Sequence, residues 1–340
     1  MWCFLFCRLE VESLTDETWT VLKIIQWTTG YLKGKGIDNP RLDSEALLAY
    51  LLKLDRVGLY LNFDRPLSKD ELSSFREIVK RRGSREPLQH ITGRQEFWSL
   101  DFKVTPDVLI PRPETEILVE EAVKVVSGQG SGASENRPEG TVPDLRTKRS
   151  GVVESGLSPL RILDLCAGSG CIGISLAHEL KNSVVYAVDT SEAALSIAKE
   201  NAALNGVNGR VCFLLGDLYM AIKSQECSKS AFRIPHSAFD IIVSNPPYVK
   251  TGDIPNIQPE VRDYEPRMAV DGGTDGLDFY RRIVGGASGY LVPGGWLLME
   301  VGEGQGGDVA GMVRETGGFN PALRVNDLAG IERVVKARKL

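Results

Sequence analysis

Between residues 17 and 94, apolar positions recur at intervals of three and four, as in Leu42, Ala46, Leu47, Tyr50, Leu51 and Leu54, with Pro40, Gly58 and Pro66 as punctuation. Such spacing puts apolar side chains on one face of a helix, so it predicts a small bundle of short helices. The basic run Lys80, Arg81, Arg82 and Arg85 near its end reads either as a solvated helix face or as a docking patch for an acidic partner. Residues 96–113 change character: Phe97, Leu100, Phe102, Val104 and positions 108–110 suit short extended pieces, stopped by Pro111 and Pro113. A hairpin-like connector is expected here, followed by a helix over 114–126.

Farther along, apolar runs of strand length alternate with helical patterns. Strands are predicted at 161–165, 184–188, 211–215, 240–243 and 296–301, and helices at 171–180, 191–205 and 277–287. Two extended runs within 319–339, separated around 327–330, read as a closing antiparallel pair. This alternation is that of an α/β doubly wound sheet. Three parts are therefore expected: a helical domain over 14–94, the connector over 95–113, and an α/β domain over 114–340. Residues 127–158, rich in Gly, Ser, Pro and charge, read as a flexible insertion.

Composition narrows the class. At 340 residues, 42% hydrophobic and 25% charged, the chain can bury a large core with a smaller companion. No apolar run approaches the roughly 20 residues needed to span a bilayer. The apolar residues 1–7 are too short for a secretory core and read as a frayed terminus or a mis-set start. Six scattered cysteines without a C-x-x-C pair suit a reducing cytoplasm, and three histidines without ligand spacing suggest no metal site. A net charge of −5 argues against nonspecific gripping of a nucleic-acid backbone and favours a protein or small-molecule substrate.

Chemistry enters with Ile162-Leu163-Asp164-Leu165-Cys166-Ala167-Gly168-Ser169-Gly170, a strand running into a glycine turn and then a helix. Glycines let the backbone approach a ligand and take positive φ, and open α/β sheets bind ligands at this carboxyl edge. Because Gly168-Ser169-Gly170-Cys171-Ile172-Gly173 also fits G-x-G-x-x-G, the turn alone does not choose between a dinucleotide and another nucleoside cofactor. Three carboxylates at successive strand ends narrow the choice. Asp164 would repel a pyrophosphate but suits the ammonium end of a methionine moiety, directly or through water. Asp189 is placed to accept hydrogen bonds from ribose hydroxyls. Asp217 is placed to receive the exocyclic amine of adenine. Singly each reads equally as a turn or cap; together they favour an adenosine-type cofactor.

Asn245-Pro246-Pro247-Tyr248, directly after the strand 240–243, is the deciding feature. An amide nitrogen is a poor nucleophile because its lone pair is delocalised into the carbonyl, so its methylation requires that pair to be localised and aimed. The Asn245 side-chain oxygen and the Pro246 carbonyl can each take one N–H of such a substrate. Pro246 and Pro247 stiffen the turn without adding competing N–H groups. Tyr248 offers a flat face for a planar amide. A sulfonium donor brings its own leaving group, so positioning matters more than a strong base.

With these residues the chain resembles the peptide chain release factor N(5)-glutamine methyltransferase family over nearly its whole length. The likeness is also carried by Pro87-Leu88-Gln89-His90-Ile91-Thr92-Gly93, Leu109-Ile110-Pro111-Arg112-Pro113-Glu114-Thr115-Glu116, Glu260-Val261-Arg262-Asp263-Tyr264-Glu265-Pro266, Asp271-Gly272-Gly273 and Asp275-Gly276-Leu277. The resemblance implies a seven-stranded class I S-adenosylmethionine-dependent methyltransferase domain. It also implies a helical N-terminal domain that helps recognise the release factor, and a glutamine in a Gly-Gly-Gln loop as acceptor. By position, the family's cofactor contacts fall on Cys166, Ala167, Gly168, Ser169, Gly170, Asp189, Asp217, Leu218 and Asn245, to which the residue reading adds Asp164, while Asn245, Pro246, Pro247 and Tyr248 hold the glutamine and carry catalysis. The sequence departs from the family at Cys166, a common glycine position, and at Leu218, where some relatives carry an aromatic residue. It departs also in the insertions at 127–158 and around 224–237. Arg112 and Glu114 read either as closing the cofactor pocket or as tying the two domains together.

Other readings remain open at this point. The same turn serves adenine or guanine amino groups in nucleic acid, which an enzyme reaches by extruding the base, and glutamine in a ribosomal protein. An NAD-dependent oxidoreductase resting on G-x-G-x-x-G gives no account of Asn245 to Tyr248. A non-catalytic binding module would be expected to have lost Asn245, Asp164 or Asp189.

Overall fold

The computed structural model describes residues 18–128, 159–224 and 239–340, so the apolar start and the expected flexible insertion lie outside the described residues. The chain forms two compact units, 1–92 and 93–340.

Among the described residues of the first unit five helices follow one another: α1 (Val21–Gly34), α2 (Pro40–Leu52), α3 (Arg56–Leu61), α4 (Lys69–Gly83) and α5 (Leu88–Thr92). Their starts carry the usual donors' partners. Thr20 and Asp55 cap α1 and α3, and Ser68 with Glu71 forms a reciprocal capping box on α4. Val21, Ile25, Leu47, Leu48, Leu59, Phe75 and Val79 make the core. The inward face of α2 is not the one its apolar spacing suggests, since Leu42 and Tyr50 are about half exposed while Asp43 and Glu45 are buried. Ion pairing explains this. Asp43 accepts from Arg82 at 2.6 Å, and Glu45 accepts from both Arg41 and Arg56 at 2.9 Å, so the carboxylates leave water already compensated. The basic run at the end of α4 is likewise engaged within the unit: Lys80 with Glu77, Arg81 with Glu86 and Arg82 with Asp43. Lys80 and Arg81 stay about half exposed in these pairs, whereas Arg82 is buried.

The second unit opens with the hairpin β1 (Arg94–Phe97) and β2 (Leu100–Lys103). Trp98 and Ser99 both sit at positive φ, 54° and 55°, which matches the right-handed twist of the strands without any glycine. After α6 (Glu116–Val126) come β3 (Leu160–Leu165), α7 (Cys171–Glu179), β4 (Ser183–Asp189), α8 (Glu192–Leu204), β5 (Val211–Leu215) and α9 (Met220–Ser224). Then follow β6 (Phe239–Ser244), α10 (Pro259–Tyr264), α11 (Asp278–Tyr290), β7 (Leu291–Glu300), α12 (Gly306–Glu315), β8 (Leu323–Asn326) and β9 (Glu332–Arg338). The order across the sheet is β5-β4-β3-β6-β7-β9-β8, with β3 to β7 parallel and β9 antiparallel to both β7 and β8. The expected closing pair is thus present, with β9 inserted between β7 and β8.

Side chains alternate across the sheet with period two. Leu163 and Leu165 pack into the layer that holds Tyr280, Ile283 and Val309, while Ile162 packs into the layer that holds Leu118, Ile172 and Leu176. The strand order reverses between β3 and β6, and a crevice opens beyond the carboxyl ends of such a pair. Among the described cysteines, Cys166 and Cys171 are free thiols. No helix among the described residues is long and apolar enough to cross a membrane.

Candidate active site

A cavity of about 320 Å³ lies at that strand reversal. Cys166 and Gly168 from the turn after β3, Asp189 from the end of β4, Asp217 and Leu218 after β5, and Asn245 after β6 all line it. Four residues expected in the cofactor site do not. Asp164, Ala167, Ser169 and Gly170 are buried behind the wall and shape it from there.

The three glycines of the G-x-G-x-x-G stretch, two in the turn and Gly173 in α7, have different jobs. Gly168, at φ +54°, has open space where a side chain would stand and faces the cavity. At Gly170, φ +80°, a Cβ would press on Ile174 and Ala198. At Gly173 it would sit 2.8 Å from Asp164 Oδ2, so only glycine lets α7 lie this close to β3. Cys166 adopts φ +61°, which accounts for glycine being favoured at that position, and Leu218 adopts +45°.

Buried Asn201 on α8 fastens the turn to the hairpin, donating to the carbonyls of Lys103 and Ser169 at 3.0 Å and accepting from the Lys103 N–H at 2.7 Å. Sequence reasoning missed it, because an asparagine on a helix carries no local sign of partners 98 and 32 positions away.

The carboxylates differ in environment. Asp189 accepts from the Gly168 N–H at 2.8 Å and from the Ser191 N–H at 2.9 Å, and keeps lone pairs toward the cavity. Asp164 is fully buried; one oxygen accepts from the Gly173 N–H at 3.0 Å and the other has no partner. Burial pushes its pKa up to about 7. Asp217 is half exposed and pairs with Arg282, whose guanidinium also lies 5.8 Å from the Phe279 ring centroid. Phe279, Arg282 and Met268 complete the wall and carried no signal in the sequence.

Asn245 also lines a second cavity of about 240 Å³, with Tyr248, Arg112, Leu109, Gln258 and Val261. It stands where the two cavities meet. Its Nδ2 donates to Thr115 Oγ1 at 3.2 Å. Among the described residues, neither Asn245 Oδ1 nor the Pro246 carbonyl accepts a hydrogen bond. Pro246 and Pro247 are buried and Tyr248 is half-buried, its hydroxyl pushed up to about 12 by burial.

The bed of this turn explains the Asp271-Gly272-Gly273 segment. The Val249 N–H donates to the Val270 carbonyl and the Gly272 N–H to the Val249 carbonyl, and a Cβ at Gly272 would stand 2.7 Å from the Tyr248 Cα. Gln305 donates to the Tyr248 carbonyl at 3.0 Å. Ser244 donates to the Leu165 carbonyl at 2.8 Å, linking the ends of β6 and β3. Arg112 bridges to buried Glu265 at 2.6 Å, so two segments distant in sequence meet beside the second cavity, both within the second unit.

A sheet in this order, with a glycine turn at the end of its central strand, acidic residues on the neighbouring strand ends and a proline-stiffened Asn turn across the reversal, defines a class I methyltransferase fold. Models of two domains match the chain: the PrmC N-terminal domain over residues 23–93 and the methyltransferase small domain over 154–260. The chain belongs to the release factor glutamine methyltransferase family. It is 45% identical to the release factor glutamine methyltransferase of Geobacter sulfurreducens, over 95% of this chain and 98% of that one. It is 34% identical to that of Rhodopirellula baltica, over 96% and 99%. The Moorella thermoacetica protein of the same name is 38% identical, over 89% and 92%. None of these relatives is a ribosomal-protein or nucleic-acid methyltransferase by name, and those two readings fall away.

Proposed function

We propose that this protein transfers a methyl group from S-adenosylmethionine to the side-chain amide nitrogen of a release-factor glutamine, the one in its Gly-Gly-Gln loop. The observation that carries the reading is Asn245 at the junction of the two cavities, its Oδ1 uncommitted, with the equally uncommitted carbonyl of Pro246, which lines neither cavity, next to it in the chain.

The residues of the larger cavity fit the methyl donor. Asp189 has acceptor capacity for ribose hydroxyls. Gly168 leaves the backbone open to close approach. The partnerless oxygen of Asp164 lies under the turn, where an ammonium group, directly or through water, would compensate it. Bound there, S-adenosylmethionine supplies an electrophilic methyl carbon and its own leaving group. Asp217, held by Arg282, and Leu218 border the end suited to adenine. Cys166, Ala167, Ser169 and Gly170 shape the turn itself.

The second cavity takes the glutamine. Asn245 and Pro246 each accept one N–H of the carboxamide, which holds the nitrogen in one orientation and aims it across the junction. Pro247 keeps the turn stiff, and Tyr248 presents its ring to the amide plane. No strong base is needed, since the proton leaves after transfer. The N-terminal helical domain contributes to release-factor recognition, and the protein works in the cytoplasm, where translation terminates. Incubating purified release factor with enzyme and labelled S-adenosylmethionine, then sequencing its peptides by mass spectrometry, tests this. A single methyl on the glutamine is expected; a methyl elsewhere, or none, would refute it.

A further inference from the structure

The acceptor geometry above depends on which end of the Asn245 side chain faces the substrate. A carboxamide has two ends of nearly equal shape, so packing alone does not choose between them; its hydrogen-bond partners do. The strands β6 and β7 run parallel with Ser244 opposite Met299, so Asn245 and Glu300 leave the sheet side by side. Glu300 is 3% exposed and lines neither cavity. Thr115, from the turn before α6, is 2% exposed, and its Oγ1 accepts from Asn245 Nδ2.

We propose that Glu300 and Thr115 form a clamp on Asn245, holding its Nδ2 amide group between them so that Oδ1 is the atom presented to the substrate. This deepens the functional reading and rests on it for its catalytic consequence only. Glu300 is a positioning residue, acting through Asn245 and not on the reacting atoms; its buried Oε2 has no hydrogen-bond partner among the described residues and so is an acceptor free to take Nδ2.

An ionised carboxylate has acceptors only, so it pairs with the NH₂ end of Asn245; a protonated one also carries a donor, which the oxygen end can take. The clamp therefore holds in one sense only while Glu300 is ionised. Burial pushes the Glu300 carboxyl up to about 7, opposed by the neighbouring polar side chains of Thr115 and Asn245 and by Arg333, and reinforced by Glu114. The other titratable groups facing it are Tyr248, Cys171 and Tyr280, which burial keeps neutral at pH 7. As pH falls through about 7, Asn245 loses its fixed orientation.

Nuclear magnetic resonance of the ¹⁵N-labelled full-length chain reads the clamp without any substrate. The Asn245 side-chain amide signals should shift with a midpoint near pH 7, and Glu300→Gln should abolish that titration and speed exchange of the amide protons. Signals that stay unchanged in Glu300→Gln would overturn the clamp, whatever the transfer rate. In methyl-transfer assays, Glu300→Gln should lower kcat about tenfold or more, with KM for both substrates within about threefold. The acid limb of kcat should vanish. Thr115→Val should lose about tenfold and Thr115→Ser clearly less, a graded response that a role in packing alone would reverse, since valine matches the shape of threonine. A wild-type acid limb and rate in folded Glu300→Gln would also overturn the clamp. An intact amide titration in a wild-type chain that methylates no release factor would instead uphold the clamp and refute the functional reading.

Discussion

The Gly168 N–H donates to Asp189 Oδ2 at 2.8 Å, joining the turn after β3 to the end of β4. The carboxylate offered to the cavity is therefore also the anchor of the turn's open glycine. Asp189→Ala removes both, and the affinity for S-adenosylmethionine should fall by about 1 to 3 kcal/mol. Calorimetric titration measures it, and an unchanged Kd would take Asp189 out of the site.

Glu265 is buried and depends on Arg112, a residue about one-third exposed. Burial raises the Glu265 pKa while Arg112 and the Ile110 N–H pull it back down. Arg112→Met leaves that carboxylate without its cation, and a loss of about 1 to 3 kcal/mol in stability is expected, less than for a fully buried pair because water screens Arg112. Since Arg112 lines the second cavity, KM for the release factor should rise while the Kd for S-adenosylmethionine holds. Urea denaturation and steady-state kinetics check the two halves.

Asn201→Ala strips partners from two carbonyls and one N–H at once. A loss of about 2 to 4 kcal/mol is expected for three backbone groups of which some relax toward water. The same variant frees the Ser169 carbonyl, so its cofactor affinity should fall as well. Thermal unfolding with and without S-adenosylmethionine reads both effects.

Asp164 gives the stability a definite pH slope. Its folded pKa of about 7 lies above its ordinary value of 3.8, so the native chain binds the extra proton. Any stabilisation from that proton is complete below about pH 4 and is lost as pH rises through about 7. Glu300 acts with the same sign over the same window. Thermal melts from pH 5 to 8 should fall in Tm by this contribution, and Asp164→Asn should flatten part of the fall. A slope identical to wild type would contradict the burial argument.

Much of this architecture was legible because it is local. Apolar runs such as Ile162-Leu163 and Ile241-Ile242-Val243 end at Gly168, Asp189 or Pro246, so each strand announced both itself and its carboxyl end. The antiparallel pair β8 and β9 showed as two extended runs about a Gly turn. What was not legible depends on residues far apart in sequence. The inward face of α2 follows from Arg82, 39 positions beyond Asp43, and the fixing of the glycine turn follows from Asn201. Glu300 comes beside Asn245 only because β6 and β7 are neighbours, and Thr115 meets it from 130 positions away, neither of which periodicity reveals. The turn at Trp98 and Ser99 has positive φ without glycine and so left no mark.

The Asn245→Ala variant separates cofactor binding from chemistry when S-adenosylmethionine affinity and single-turnover methyl transfer to a purified release factor are measured on the same preparation. A Kd within about threefold of wild type is expected, with a transfer rate lower by about 100-fold or more, the loss that follows when a preorganised acceptor for the reacting group is removed. Methyl transfer at the wild-type rate, with the cofactor bound as before, would contradict that role of Asn245.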